Sequence, residues 1–354
     1  MMLIGLVFGV GVLAWWLTKR LSCRDSFLFK LDHPNERSLH DIPIPRTGGV
    51  AIIGSLSLGL IAAQALGLLV LREGLSQLDW VYLESWILGM TILLGLVSFM
   101  DDRGGVPVWF RLGCQFSASA ILVFGAELIL PAIEIPFLGT IELRWLGETL
   151  TILLLIWFTN LYNFMDGMDG FAGGMTVIGC GLLGYLGWQA HHPVISFIAT
   201  LQAAAAAGFL VHNFPPAKIF MGDVGSVSTG FLAAALIVLG CRDGVFDLWV
   251  PLIVFSPFIV DATVTLIRRA LHHEKVWEAH RDHYYQRLVL SGWGHRRTVL
   301  AEYGVMALCG GLALVYQYAS EEWRLIVLGV WGMVFLSLAF AVRSVGQRIQ
   351  PVGS

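Results

Sequence analysis

Five polar clusters interrupt an otherwise apolar sequence. The first runs His33-Pro-Asn-Glu-Arg-Ser-Leu-His40 and continues into Pro45-Arg46-Thr47-Gly48-Gly49, and the second is Asp101-Asp102-Arg103. The third holds Asn160, Asn163, Asp166-Gly167 and Asp169-Gly170 at three-residue spacing, and the fourth runs from Asn213 through Lys218 and Phe220 to Gly222-Asp223-Val-Gly225-Ser226. The fifth is His280-Arg281-Asp282-His283-Tyr284-Tyr285-Gln286. Hard oxygen donors such as Asp101, Asp102, Asn163, Asp166, Asp169, Asn213 and Asp223 suit magnesium, which keeps part of its water shell and shares phosphate oxygens with a substrate. The cations beside them, Arg46, Arg103, Lys218 and Arg281, together with the histidines, suit phosphate groups. Carboxylates, a hard cation and basic groups together point to phosphoryl transfer.

Each cluster also has a plainer reading. Asp101-Asp102 alone fits a solvated helix boundary. Asn163, Asp166 and Asp169 lie at i, i+3 and i+6, on one face of a helical turn, where they could act as caps. Met165 and Met168 fit as core filler. Gly222-Asp223-x-Gly225-Ser226 reads as a turn with an N-cap, or as a glycine-rich helix start that holds phosphate on backbone N–H groups. His280 and His283 read singly as loop residues. What distinguishes the two readings is where the clusters fall relative to one another.

The chain has 354 residues, 56% hydrophobic and 13% charged, with a mean hydropathy of +0.74. Soluble domains carry about 25% charged residues, so lipid must be part of this chain's solvent. A spanning helix needs about 20 mainly apolar residues. Such runs occur near 1–18, 48–71, 83–100, 110–130, 149–165, 170–190, 193–212, 225–241, 248–267, 298–318 and 325–342, which predicts an all-α integral membrane protein of about eleven spans. Glu127 and Glu302 make the fourth and tenth the weakest of these, and His191-His192-Pro193 divides the sixth from the seventh. Ile133–Leu146, with Pro136 and Gly139, predicts a small outer hairpin. The first run has no basic residue before it and no A-x-A-like cleavage site after it, so a retained first span is expected. No linker or low-complexity stretch appears, and residues 1–354 are expected to form one polytopic domain. The five cysteines form no C-x-x-C pair, which excludes a zinc or disulfide framework on spacing.

Basic residues orient the spans. Of the 22 Lys and Arg, only Arg72, Arg144, Arg242 and Arg324 fall on the side opposite the loops that follow odd-numbered spans. Those loops and the C-terminus are therefore expected in the cytoplasm, with Trp80, Trp145, Trp249 and Trp323 in an outer aromatic belt. All five polar clusters follow odd-numbered spans and share that face. Acids at a membrane boundary default to function, so the clusters together predict one site.

Arg46-Thr-Gly-Gly, Asp101-Asp102, Asn160-x-x-Asn163-x-x-Asp166-Gly-x-Asp169-Gly and Asn213…Phe220-Met-Gly-Asp223-x-Gly-Ser resemble, in order, the motifs of the polyprenyl-phosphate N-acetylhexosamine-1-phosphate transferases, glycosyltransferase family 4. The resemblance implies transfer of an N-acetylhexosamine-1-phosphate from a UDP-sugar to undecaprenyl phosphate with release of UMP, in a bacterial inner membrane. It makes Asp223 a principal magnesium ligand with Asn163 beside it, manganese being the alternative ion. Asp101 and Asp102 engage the lipid phosphate, one of them as a candidate base. Asp166, Asp169 and Asn213 hold the nucleotide, Phe220 stacks on uracil, Arg46 serves substrate binding, and His280, His283 and Arg281 contact phosphates or sugar. The implied partners are the UDP-N-acetylhexosamine, undecaprenyl phosphate and the lipid bilayer, with no nucleic acid and a homodimer as the assembly allowed for.

Related branches carry three histidines in the last loop, whereas Arg281 and Asp282 here separate two, which resembles the O-antigen-initiating branch and leaves the sugar open. Arg281, Asp282 and Gln286 are expected to choose it. Phospho-N-acetylmuramoyl-pentapeptide transfer is the alternative within the family. A CDP-alcohol phosphotransferase needs an Arg where Gly173 follows Ala172. A transporter would place its acids at mid-membrane on broken helices.

Overall fold

The computed structural model describes residues 2–26, 28–34, 38–68, 77–274 and 280–347. Arg37, Arg72, Lys275 and Arg348, used in the orientation argument, lie outside them, as does the side chain of Trp80.

The chain opens with α1 (Met2–Leu21), then a two-residue strand pair, β1 (Leu31–Asp32) and β2 (Ile44–Pro45), leading into α2 (Gly48–Ala65). α3 (Gln77–Gly104) and α4 (Val108–Gly125) precede a hairpin of β3 (Ala132–Ile135) and β4 (Gly139–Glu142). α5 (Leu146–Met165), α6 (Phe171–Gln189), α7 (Pro193–Asn213) and α8 (Gly222–Arg242) follow. The remainder is α9 (Trp249–Val254), α10 (Ser256–Leu271), α11 (Tyr284–Leu288), α12 (Gly294–Tyr318) and α13 (Glu321–Gln347).

Among the described residues, nine helical runs are long and apolar enough to cross a membrane: α1 to α4, α6 to α8, the α11–α12 run and α13. The fifth and ninth expected spans correspond to α5 and to the broken pair α9–α10. In α5, Glu148, Asn160 and Asn163 dilute an otherwise apolar helix of 20 residues. The break at Phe255 lies between Pro251 and Pro257, whose rings cannot donate to the helix ladder. The protein is thus an all-α, multi-pass membrane protein.

Three boundaries move in ways that matter for the site. α3 runs through Asp101-Asp102 to Gly104, and α8 begins at Gly222 and so takes Asp223 into its first turn. Span four stops at Gly125, leaving Glu127 in an exposed turn. The expected hairpin is present, with Ile135 paired to Gly139.

α8 is the axis of the bundle, with 89% of its apolar window enclosed by protein. Without a hydrophobic drive between helices in lipid, close packing at small residues holds such bundles together. Gly230 faces Tyr162 and the Phe158 carbonyl of α5, and Gly208 of α7 abuts the Gly11 carbonyl of α1. At the other extreme, α13 has only 6% of its window buried.

Candidate active site

The ends of these helices on one face enclose a cavity of about 600 Å³, within the range of small-molecule sites. Two glycine contacts build its floor. A Cβ on Gly49 would lie 2.1 Å from the Gly225 backbone N, and one on Gly222, which has φ 68, would lie 2.3 Å from the Arg46 carbonyl O. Only glycine lets the Arg46-Thr-Gly-Gly segment and the start of α8 approach this closely. Backbone bonds lock the approach: Gly48 N donates to Phe220 O, Gly49 N to Met221 O and Phe220 N to Pro45 O.

Arg46, Asn163, Asp166, Asp169, Asn213, Phe220, Asp223, His280 and His283 all border the cavity, which brings together nine of the expected site residues. Asp101, Asp102 and Arg281 do not border it. Asp102, 8% exposed, stands behind Arg46, whose Nη2 lies 3.2 Å from its Oδ1. Asp101 accepts the Val106 N–H and pairs with Arg111. Arg111 borders the cavity and its Nη1 lies 3.6 Å from Asp223 Oδ2. The two aspartates thus hold two arginines at the cavity wall.

Asn163 Nδ2 donates to Asp223 Oδ1 at 3.1 Å and to Ser226 Oγ at 3.0 Å, fixing the start of α8 against the end of α5. Asp166 follows the last turn of α5. Burial, then the charges of Asp223 and Asp102, raises its carboxyl well above the usual carboxylate range. The buried Oδ1 of Asp102 accepts no hydrogen bond. Acid charges that press on Asp166, beside an Asp102 oxygen held only by the Arg46 ion pair, fit a divalent cation. Among the described residues, no three His, Cys, Asp or Glu side chains converge on one point. An ion here would therefore complete its shell with water and substrate oxygens, as magnesium does.

Asp169 Oδ2 accepts from Ala217 N at 2.9 Å, and His295 Nδ1 lies 3.2 Å from Oδ1. Asn213 uses its amide on the backbone: Oδ1 accepts from Gly170 N and Nδ2 donates to Ile219 O, both at 2.9 Å. It braces two loops of the wall. The Phe220 ring meets His40 edge-on, with centroids 4.8 Å apart.

In the last loop, the His280 and His283 rings lie 4.9 Å apart. Burial, then the neighbouring His283 and Arg269, pushes His280 down to about 4, so it is neutral near pH 7. Asp282 is engaged by Arg268 and Arg269, and Gln286, 6% exposed, caps the His283 N–H. Asp282 is thus taken up in holding the loop, whereas Gln286 both braces it and borders the cavity.

Sequence reasoning passed over several contributors. Arg111 sits in the first turns of α4, where a cation opposes the helix dipole, and that mismatch was the available signal. Asp32 pairs with Arg46 at 3.6 Å and with His40 at 3.5 Å, from a strand too short to show in the pattern. Asp261 accepts from His283 Nδ1 at 3.1 Å and from the Tyr284 and Tyr285 N–H groups. An acid inside an apolar span was its signal. His295, whose Nε2 lies 3.1 Å from the Leu39 carbonyl O, offered no signal.

Comparison with known proteins bears on the same residues. The model of glycosyl transferase family 4 matches residues 85–241, which contain the Asp101-Asp102, Asn160–Gly170 and Phe220–Ser226 segments. A probable undecaprenyl-phosphate N-acetylglucosaminyl 1-phosphate transferase of Bacillus subtilis is 29% identical over 327 residues, 91% of this chain and 87% of that protein. A decaprenyl-phosphate N-acetylglucosaminephosphotransferase of Mycobacterium tuberculosis is 30% identical over 360 residues, 92% of this chain and 85% of that protein. A phospho-N-acetylmuramoyl-pentapeptide-transferase of Latilactobacillus sakei is 27% identical over 244 residues, 65% of this chain and 74% of that protein. The chain therefore belongs to glycosyl transferase family 4 and is a phospho-sugar transferase of the membrane.

Proposed function

We propose that the protein transfers an N-acetylhexosamine-1-phosphate from a UDP-sugar to undecaprenyl phosphate, at the cytoplasmic face of a bacterial inner membrane. The product would initiate an O-antigen or a related envelope polysaccharide. The observation that carries this reading is the pairing of Asp102 with Arg46 and of Asp101 with Arg111 at the wall of a cavity that also holds Asp166 and Asp223. The names of the Bacillus and Mycobacterium relatives support the polyprenyl phosphate and N-acetylglucosamine chemistry.

In the reaction, an oxygen of the lipid phosphate attacks the sugar-bearing phosphorus. The bond from that phosphorus to the uridylyl phosphate oxygen breaks, UMP leaves with that oxygen, and a new P–O–P link joins sugar phosphate to lipid. Both substrates are anionic, so Arg46 and Arg111 offset their repulsion. A phosphate monoester is already largely ionised at neutral pH, its second pKa being about 6, so attack needs no strong base. That Asp101 and Asp102 stand behind the cavity wall supports their role as holders of arginine over a role as nucleophile or base. Neutral His280 donates a hydrogen bond to a phosphate oxygen without adding charge. Asp223 and Asn163, which border the cavity side by side, would hold magnesium, and the ion would supply charge neutralisation for phosphate groups.

The test is to incubate membranes containing the protein with undecaprenyl phosphate and a panel of radiolabelled UDP-N-acetylhexosamines, including UDP-N-acetylmuramoyl-pentapeptide. Label is expected in the lipid extract with equimolar UMP, abolished by EDTA and restored by magnesium. Asp223→Asn should fold and lose activity by orders of magnitude, as loss of a charged metal ligand implies. Absence of lipid-linked label with every donor would overturn the reading.

A further inference from the structure

We infer that Asp261 of α10 is a positioning residue that sets the tautomer and orientation of His283, so that the histidine pair meets phosphate oxygens with a fixed pattern of donor and acceptor. The phosphate as the target rests on the function proposed above. The positioning itself rests on the contacts alone.

Asp261 is 7% exposed in a helix of a membrane bundle, where an uncompensated carboxylate is costly. Four donors compensate it. His283 Nδ1 at 3.1 Å, Tyr284 N at 2.9 Å and Thr265 Oγ1 at 3.2 Å meet Oδ1, and Tyr285 N at 3.2 Å meets Oδ2. Three of the four belong to consecutive residues of the last polar loop. The carboxylate therefore grips that loop at the point where it turns into α11.

An ionised carboxylate only accepts hydrogen bonds. The Gln286 backbone N–H also turns toward the His283 side chain in the capping box of α11, but the charge-assisted bond to Asp261 is the stronger of the two, so we place the proton on Nδ1 and, in the neutral ring, the lone pair on Nε2. A carboxylate bonded to one ring nitrogen of a working histidine fixes tautomer and basicity at the other. His280 has the opposite constraint. Its Nδ1 faces the Asp282 backbone N–H at 3.4 Å, nearer than the Asp282 Oδ2 at 3.9 Å, which Arg269 already engages, so we place its ring proton on Nε2. Two imidazoles 4.9 Å apart are thereby made chemically unequal: His280 presents a donor to the cavity and His283 an acceptor.

Other contacts keep the grip rigid. His283 stacks on Tyr285 with centroids 5.7 Å apart and an interplanar angle of 16°. Tyr285 is fully buried and packs on Phe171. Arg268 and Arg269, both about two turns beyond Asp261 on α10, hold Asp282.

The test uses the full-length protein purified in detergent, with Asp261→Asn, Asp261→Ala, His283→Gln and the Asp261→Asn/His283→Gln double variant. Asp261→Asn should keep its melting temperature within a few degrees while kcat falls about 10- to 100-fold, the range expected when a charge-assisted hydrogen bond is lost. KM for undecaprenyl phosphate should change less than kcat. Because Asp261 acts through His283, the double variant should be no slower than the slower single variant, the signature of coupled residues. Losses that multiply, or a fall in activity that only follows the folded fraction, would overturn the inference. Nitrogen NMR of labelled histidine gives a readout independent of turnover. Wild-type His283 should carry its proton on Nδ1, and Asp261→Ala should redistribute it. A wild-type His283 protonated on Nε2 alone would overturn the assignment, whereas wild-type protein that transfers no sugar phosphate would count against the function and leave this measurement to decide the role of Asp261.

Discussion

Arg111→Gln isolates the arginines from the acids around them. Arg111 Nη1 bonds Asp101 and lies 3.6 Å from Asp223, so the wild-type side chain holds one acid while keeping its remaining N–H groups for a phosphate. Glutamine retains a donor but loses the charge and the planar fork. A hydrogen bond to a charged group contributes about 1.5–3 kcal/mol. At about 1.4 kcal/mol per tenfold, kcat/KM should fall about 10- to 150-fold. Stability should move little, because the side chain is 34% exposed and water can replace it on Asp101. Exposed pairs contribute about 0–1 kcal/mol, which corresponds to a melting shift of about 4 °C or less. Arg111→Lys keeps the charge without the fork and should fall between the two. The assay is steady-state transfer with each substrate varied in turn, beside a thermal unfolding curve. Arg111→Gln with kcat/KM within about twofold of wild type would refute the reasoning, and so would a loss explained by unfolding.

Other consequences can be measured with less apparatus. Gly49→Ala places a methyl against the Gly225 backbone and should cost about 1–3 kcal/mol by overpacking, whereas Gly104→Ala, with open space around it, should cost under about 1 kcal/mol; paired melting curves decide. Single cysteines at Ser38 and Gly139 should label from opposite sides of the membrane, and labelling from the same side would break the span count between them. Burial works to raise Asp243, but hydrogen bonds from His192 and Arg242 outweigh it and bring it from 3.8 to about 2. A folded pKa below the unfolded one stabilises above the unfolded value and ceases to do so as pH falls through the folded one. Asp243→Asn should therefore lower the melting temperature at pH 7, and the gap from wild type should close between about pH 4 and pH 2; a gap independent of pH would refute the pairing.

The bundle was legible because lipid imposes one rule on each span: a long apolar run, which the sequence displays openly. The same rule hides what the spans do inside. α8 is almost wholly enclosed and α13 almost wholly exposed, yet both read as apolar runs, because lipid and protein interior select similar residues. The site was legible as a set of clusters on one face, since charges are rare enough here for their positions to be informative. Its inner order was not. Whether Asp102 lines the cavity or backs Arg46 depends on packing between residues 56 positions apart. Asn213 has the composition of a ligand, and only the bonds to Gly170 and Ile219 show that its amide is engaged. Asp282 looked available for a sugar because no pattern in the chain announces that Arg268 and Arg269 reach it first.

The bond between His295 and the Leu39 carbonyl joins residues 256 positions apart. It sets a rule for biosynthesis. A ribosome that has delivered α8 has already delivered Asp102, Asp166 and Asp223, but the histidine loop and the residue that latches onto the first polar loop are still to come. A half-made chain in the membrane therefore has an open, unclosed mouth where the finished protein has a walled site. A chain truncated before residue 280 is therefore expected to lack both the closed site and the transfer activity proposed for the finished protein.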